Sequence, residues 1–191
     1  MKRRFHYLSH FDVEIDPDRP VPLWRLNETG RRRAQALTQS GVFSAVDQIL
    51  SSAETKAIET AAILAASINC PITIHPKMHE NDRSSTGFLP GPAFEAAADA
   101  FFAHPNTSFK GWETACDAQT RIVQQVTDAI DQFPKAKTIL FVGHGAVGTL
   151  LYCHLSQNQI DRRFDQTSGG HVLTWHSDAA PTCGWQRAEN I

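Results

Sequence analysis

The run Thr138-Ile139-Leu140-Phe141-Val142, halted by Gly143-His144-Gly145, constrains the fold of this 191-residue chain more than any other segment. Apolar and β-branched residues in unbroken succession leave the strand no polar side. Such a strand belongs in a sheet covered on both faces. The Gly-His-Gly turn then opens a helix through Leu155. Comparable strand–helix pairs recur upstream. Phe5–Leu8 reads as a first strand, and Asp12–Trp24, with Pro17, Pro20 and Pro22, as a loop. Asn27 caps a helix to Ser40, with Gly41 at the left-handed C-terminal position. Val46–Leu50 reads as a second strand, and Ser51-Ser52 as the cap of a helix from Ala53 to Ile68 with an apolar face of Ala57, Ala61, Leu64 and Ile68. Pro71–His75 is a short β-branched strand, and Met78–Pro92 is irregular and too polar for core. Helices follow at Ala93–Phe102 and Thr114–Phe133, and His171–Trp175 is the last strand. This alternation predicts an α/β three-layer sandwich with a mostly parallel central sheet, one domain over residues 1–191.

In open α/β sheets, ligands bind beyond the carboxyl ends of the strands. That rule selects Ser9-His10, Ser51-Ser52 and Gly143-His144-Gly145. Two of these contain histidine, whose neutral imidazole is a nucleophile near neutral pH. Gly145 opens a helix, where free N–H groups favour an anion and glycine lets a ligand approach the backbone. Gly143 to Gly148 also spells a dinucleotide-type G-x-G-x-x-G. It lies late in the chain, and Asp165, near the spacing of a ribose-binding acid, falls in a polar segment instead of after a strand.

Composition narrows the partners. A net charge of −2, from 18 basic and 20 acidic residues, gives no bulk attraction to nucleic acid or membrane. The Arg31–Arg33 cluster reads as a solvated helix face. No stretch approaches the ~18 apolar residues of a membrane span. The basic start lacks an apolar run behind it, and Cys70, Cys116, Cys153 and Cys183 are scattered, so a cytoplasmic location with reduced thiols is expected. His75 and His79 are separated by Pro76, which prevents the helix that would bring them to one metal.

The segment Ser51-Ser52-Ala53-Glu54-Thr55-Lys56-Ala57-Ile58-Glu59-Thr60-Ala61 resembles the Ser-Ser-x-x-x-Arg-Ala-x-x-Thr-Ala signature of the histidine phosphatase superfamily, also called phosphoglycerate mutase-like. Leu26 to Gly30 is similar to its Leu-Thr-x-x-Gly helix start, Gly143-His144-Gly145 to its second histidine motif, and Trp112-Glu113-Thr114 with Arg121 to its Gly-Glu-Ser segment. The motifs fall in family order from about Tyr7 to Trp175. The resemblance implies a phosphoglycerate mutase-like fold and a metal-independent phosphomonoesterase without cofactor. His10 would form a phosphohistidine, Glu80 would be the general acid, and His144 would assist as a cationic donor.

Two departures stand out. The family's Arg-His-Gly is Ser9-His10-Phe11 here, and the arginine of its second motif is Lys56, which keeps the charge but loses the planar fork. Ser9, Lys56, Gly145 and Arg83, three residues beyond Glu80, are therefore the expected phosphate ligands. The expected partner is a small-molecule or protein phosphate ester. Lacking the longer insertions of the family's mutases, the chain reads as a phosphatase. Its rivals are a catalytically attenuated phosphate-ester binding protein and a dinucleotide-dependent oxidoreductase. Neither substrate nor oligomeric state is legible.

Overall fold

The structure, a computed structural model, describes residues 2–191. Its centre is a six-stranded sheet in the order β3-β2-β4-β1-β5-β6. The strands are β1 (Arg4–Ser9), β2 (Gln48–Ser52), β3 (Ile72–His75), β4 (Thr138–Gly143), β5 (His171–His176) and β6 (Gln186–Arg187). The first four run parallel, whereas β5 is antiparallel to β1 and β6 antiparallel to β5.

Successive strand residues point to opposite faces, and β4 accordingly feeds two cores. Ile139 and Phe141 pack with Phe5, Tyr7 and Trp175 beneath α4 (Ala115–Gln132) and α5 (Gly145–Leu155). Leu140 and Val142 pack with Leu8, Ile49 and Val172 beneath α1 (Glu28–Ser40) and α2 (Thr55–Ile68). The remaining helix, α3 (Gly91–Ala103), adds Ala97, Phe101 and Phe102 to the first core. The three-layer architecture expected from the alternation is thus present. No helix among the described residues is long and apolar enough to cross a membrane.

Several local expectations hold, and others shift. Asn27 accepts the Gly30 N–H at 2.8 Å, and Gly41 ends α1 with φ 71°. The second strand starts at Gln48 instead of Val46, because the Asp47 carboxylate accepts the N–H groups of Lys137 and Thr138 at 2.7 and 2.9 Å. Ser51 and Ser52 are the buried end of that strand, not a helix cap; Glu54 holds the cap position of α2 without a side-chain capping bond. The His171–His176 strand is followed by β6, so it is not the last. The Met78–Pro92 segment also enters the core, since Met78 and Asn81 are buried. Tyr7 is wholly buried as well, and its hydroxyl accepts the His144 N–H at 3.2 Å.

Candidate active site

The pairing of β1 with β4 sets Ser9 opposite Gly143, so the next residue on each strand is a histidine. His10 and His144 leave the sheet side by side, with ring centroids 5.4 Å apart in a T-shaped arrangement. The His10 N–H donates to Gly143 O at 2.9 Å, which fixes the backbone at the strand end. Its Nδ1 lies 2.8 Å from Phe11 O. A carbonyl only accepts, so Nδ1 carries the proton and Nε2 keeps its lone pair. Burial, with help from the Lys56 charge, pushes the His10 pKa down to about 4. The imidazole is therefore neutral at pH 7.

His144 is fully buried. Its Nε2 lies 2.8 Å from Ser52 Oγ and 3.4 Å from Glu54 Oε1, while Nδ1 is buried without a protein partner. Burial holds its pKa well below the usual histidine value, although Glu54 pulls the other way. Glu54 itself pairs with Lys56 Nζ and accepts the Glu80 N–H at 2.9 Å. Burial works to raise the Glu54 pKa, but His144 and Lys56 outweigh it, and the group stays ionised.

Glu80 occupies the N-terminus of α5. Its carboxylate accepts the N–H groups of Val147 and Asn81 at 3.1 Å each and of Ala146 at 3.3 Å. The helix end predicted to favour an anion thus holds this side chain. Burial raises the Glu80 pKa, with Arg83 opposing and Glu54 reinforcing. A carboxyl group whose proton is retained into a higher pH range suits a general acid. Arg121 fixes the loop that bears it. The guanidinium grips Glu113 at 2.6 and 2.8 Å and donates to the carbonyls of Lys77, His79 and Glu80 at 2.8, 3.0 and 3.3 Å.

A cavity of about 270 Å³ gathers His10, Glu80, Arg83, Gly145 and Gln166. The Arg83 guanidinium lies 4.9 Å over the Phe94 ring, and among the described residues no carboxylate pairs with it, Asp82 included. The Gly145 N–H has no protein acceptor among the described residues, and a Cβ there would come within 2.5 Å of Gln166 Nε2.

Ser9 and Lys56 do not line this cavity. The Ser9 hydroxyl donates to Gln166 Oε1 at 2.6 Å and accepts the N–H groups of Gly170 and His171 at 3.1 Å each. These bonds tie β1 to the 166–171 segment and engage the hydroxyl within the protein. Lys56 is 3% exposed, and its ammonium serves Glu54 and Val21 O, the latter at 3.0 Å. Its effect on the site is electrostatic, through His10.

The dinucleotide pattern has an internal explanation. A Cβ at Gly143 would meet Tyr7 Oη at 2.2 Å, and one at Gly148 would meet the Trp185 ring at 2.6 Å. Asp165 accepts from Thr149 Oγ1 at 2.7 Å and from the Gln166 N–H at 2.8 Å. With Glu80 seated at the helix start, a pyrophosphate there would meet a carboxylate.

Glu54, Arg121 and Gln166 were not singled out as site residues from the sequence. The available signal for Glu54 was an acid two positions before Lys56, where the resembling motif has arginine. For Arg121 it was its place after Trp112-Glu113-Thr114, in the segment similar to the family's Gly-Glu-Ser motif.

The family model described as "Histidine phosphatase superfamily (branch 1)" matches residues 21–179. The match begins after Ser9-His10-Phe11, the motif that departs most from the family pattern. No curated protein matches the chain. Among solved structures, mycobacterial glucosyl-3-phosphoglycerate phosphatase superposes with TM-score 0.79 at 16% identity, over 97% of each chain. Phosphoserine phosphatase from Entamoeba histolytica, in complex with 3-phosphoglyceric acid, gives 0.77 at 16% identity, over 96% of this chain and 97% of that one. YhfR of Bacillus stearothermophilus gives 0.77 at 21% identity, over 90% of each.

Proposed function

From the premise that the chain belongs to the histidine phosphatase superfamily, we propose that it is a phosphomonoesterase working through a phosphohistidine on His10. The observation that carries this reading is the His10–His144 pair, 5.4 Å apart. In it His10 Nδ1 is tied to Phe11 O at 2.8 Å, which leaves Nε2 for attack.

The ester phosphate sits against Arg83 and the Gly145 N–H, and His144 Nδ1 gains from a phosphoryl oxygen the partner it otherwise lacks. His10 Nε2 attacks phosphorus, the P–O bond to the alcohol breaks, and Glu80 gives that oxygen its proton. A water then attacks the phosphohistidine, passes a proton to the Glu80 carboxylate, and the P–N bond breaks to release inorganic phosphate. With Nε2 of His144 facing Ser52 and Glu54, Nδ1 of the neutral ring is an acceptor. It therefore takes a proton from the P–OH of the monoprotonated phosphate. Glu54 beneath it supports that extra positive charge.

The substrates are small phosphate esters, as for the relatives named for glucosyl-3-phosphoglycerate and phosphoserine, and hydrolysis is favoured over phosphoryl transfer between hydroxyls. The reaction is placed in the cytoplasm, where Cys70, Cys116, Cys153 and Cys183, all free, stay reduced. One observation favours a second reading, a binding protein with an attenuated rate: Ser9 and Lys56 are engaged within the protein, and of the cavity's two guanidinium groups Arg162 is taken by Glu95 and Asp99, which leaves Arg83. Losing one preorganised donor costs about 10²–10³ in rate. Hydrolysis of an aryl phosphate in the presence of a chelator, wild type against His10→Ala, separates the two. Turnover abolished in a folded variant supports the phosphatase. Tetrahedral-oxyanion binding without turnover in the wild type supports the binding protein.

A further inference from the structure

Beside the His10 cavity lies a second cavity of about 250 Å³, walled by Ile15, Val21, Trp24, Phe88, Leu89 and Phe94. Arg83 and Phe94 border both spaces. The guanidinium lies 4.9 Å over the Phe94 ring, so the boundary presents a cation on one side and hydrocarbon on the other. Arg83 is thus a side chain that joins the two spaces.

The walls offer carbon. Trp24 and Phe88 have centroids 5.5 Å apart with their planes at 57°, a packed aromatic pair. The Trp24 indole N–H, the ring's sole donor, is engaged by the carbonyls of Asp16 and Arg19 at 2.9 and 3.1 Å. Ile15, Val21 and Leu89 have no polar side-chain atoms. Away from Arg83, a sugar hydroxyl or an amine entering here would lose its water without gaining a side-chain partner. An alkyl chain or an aromatic ring would gain by leaving water. Ile15, at the rim, is 62% exposed and would be covered by such a group.

The walls are also held in place. Glu14 N–H donates to Arg25 O at 2.9 Å, and Val13 bridges Leu26, which closes the loop that carries Ile15 and Trp24. Lys56 Nζ holds Val21 O at 3.0 Å. The lysine that replaces the family's arginine thus anchors this wall in place of reaching the phosphate.

We propose that this chamber is the leaving-group subsite and that the preferred substrates are phosphate monoesters of apolar alcohols or phenols. For turnover the inference rests on the phosphatase reading of the His10 cavity; for binding it does not. Ethyl and hexyl phosphate share nearly the same leaving-group basicity, so their comparison isolates contact with the chamber. Hexyl phosphate is expected to have a kcat/KM at least about tenfold higher, as befits several methylenes leaving water. Val21→Ser puts a polar group in the chamber without a charge beside Arg83 and should lower the hexyl-to-ethyl ratio of kcat/KM. Phe88→Ala removes the ring packed on Trp24 and should also reduce the preference, even if Val21→Ser fails to fold. Calorimetry with ethylphosphonate and hexylphosphonate reads the same contact without chemistry. Tighter hexylphosphonate binding, with neither ester hydrolysed, would sustain the subsite and overturn the phosphatase reading. Equal kcat/KM and equal phosphonate affinity for the two chain lengths, or a hexyl preference untouched by both variants, would overturn the subsite.

Discussion

Replacing Glu54 with alanine should strip Lys56 of its counter-charge inside the protein. Lys56 is 3% exposed and would keep only Val21 O at 3.0 Å. The Glu80 N–H, now 2.9 Å from Glu54 Oε1, would lose its acceptor too. Breaking a buried ion pair from one side costs about 3–5 kcal/mol, and an orphaned N–H about 1–3 kcal/mol. The two overlap, so a loss of about 3–6 kcal/mol is expected, a large share of the ~5–15 kcal/mol that holds a domain. Removing both charges in Glu54→Ala/Lys56→Met should recover most of the ionic part and leave about 1–3 kcal/mol for the N–H. Urea unfolding followed by tryptophan fluorescence, with Trp24, Trp112 and Trp175 all buried, gives the three free energies. The pH dependence supplies an independent arm. The Glu54 pKa is depressed in the folded state, burial opposing and His144 with Lys56 prevailing. Its contribution is present above the unfolded glutamate pKa of about 4.3 and is lost as pH falls toward the folded value. The gap between wild type and Glu54→Ala should therefore be flat from pH 7 to 5 and close only in stronger acid. A single variant within about 1 kcal/mol of wild type, or a double variant no more stable than the single one, would refute the assignment of Glu54 as the buried counter-ion.

Four further outcomes follow from the structure. Because burial and Lys56 push His10 to about 4, the nucleophile is lost only below that pH, and the acid limb of kcat/KM should lie near 4. A limb near the ordinary histidine value of about 6.5 would contradict this. Burial raises the Glu80 pKa and the proposed mechanism uses its acid form, so Glu80→Gln should lower kcat about 10²–10⁴-fold and remove the alkaline limb. Arg121→Lys cannot grip Glu113 and three carbonyls at once. It should lower kcat about tenfold or more with phosphate affinity little changed, since a small misplacement of a catalytic group carries a large rate penalty; steady-state kinetics with phosphate inhibition would show it. In Gly30→Ala the new Cβ would lie 2.2 Å from Asp12 O, a backbone atom that also accepts the Asn27 N–H. Thermal unfolding should report a loss of about 1–3 kcal/mol.

The histidine pair was legible because it depends on little more than strand order. Once β1 and β4 are parallel neighbours in register, the residues after Ser9 and Gly143 must emerge together. The all-apolar β4 announced a covered central strand, and Asn27 and Gly41 announced both ends of α1. The phosphate ligands were less legible, since a motif position fixes where a side chain starts but not where it points. Ser9 and Lys56 occupy the positions of family arginines yet turn to Gln166 and Glu54. Those partners come from elsewhere: Gln166 from a polar loop without periodicity, and Glu54 from a helix cap where an acid reads as ordinary. Glu80 could be placed by spacing, whereas its seat on the N–H groups of Ala146 and Val147 depends on long-range packing. The β2 shift has the same origin, because Asp47, just before the strand, is held by Lys137 and Thr138, 90 and 91 residues away.

The central claim is that phosphate passes through His10, and trapping the intermediate tests it most directly. The enzyme would be mixed with an aryl phosphate, quenched in alkali within the first turnover, and its peptides mapped by mass spectrometry. The account predicts one acid-labile, alkali-stable phosphoryl group on the peptide that carries His10, absent from His10→Ala. Phosphate found on a serine or threonine, or undiminished hydrolysis by His10→Ala, would contradict it.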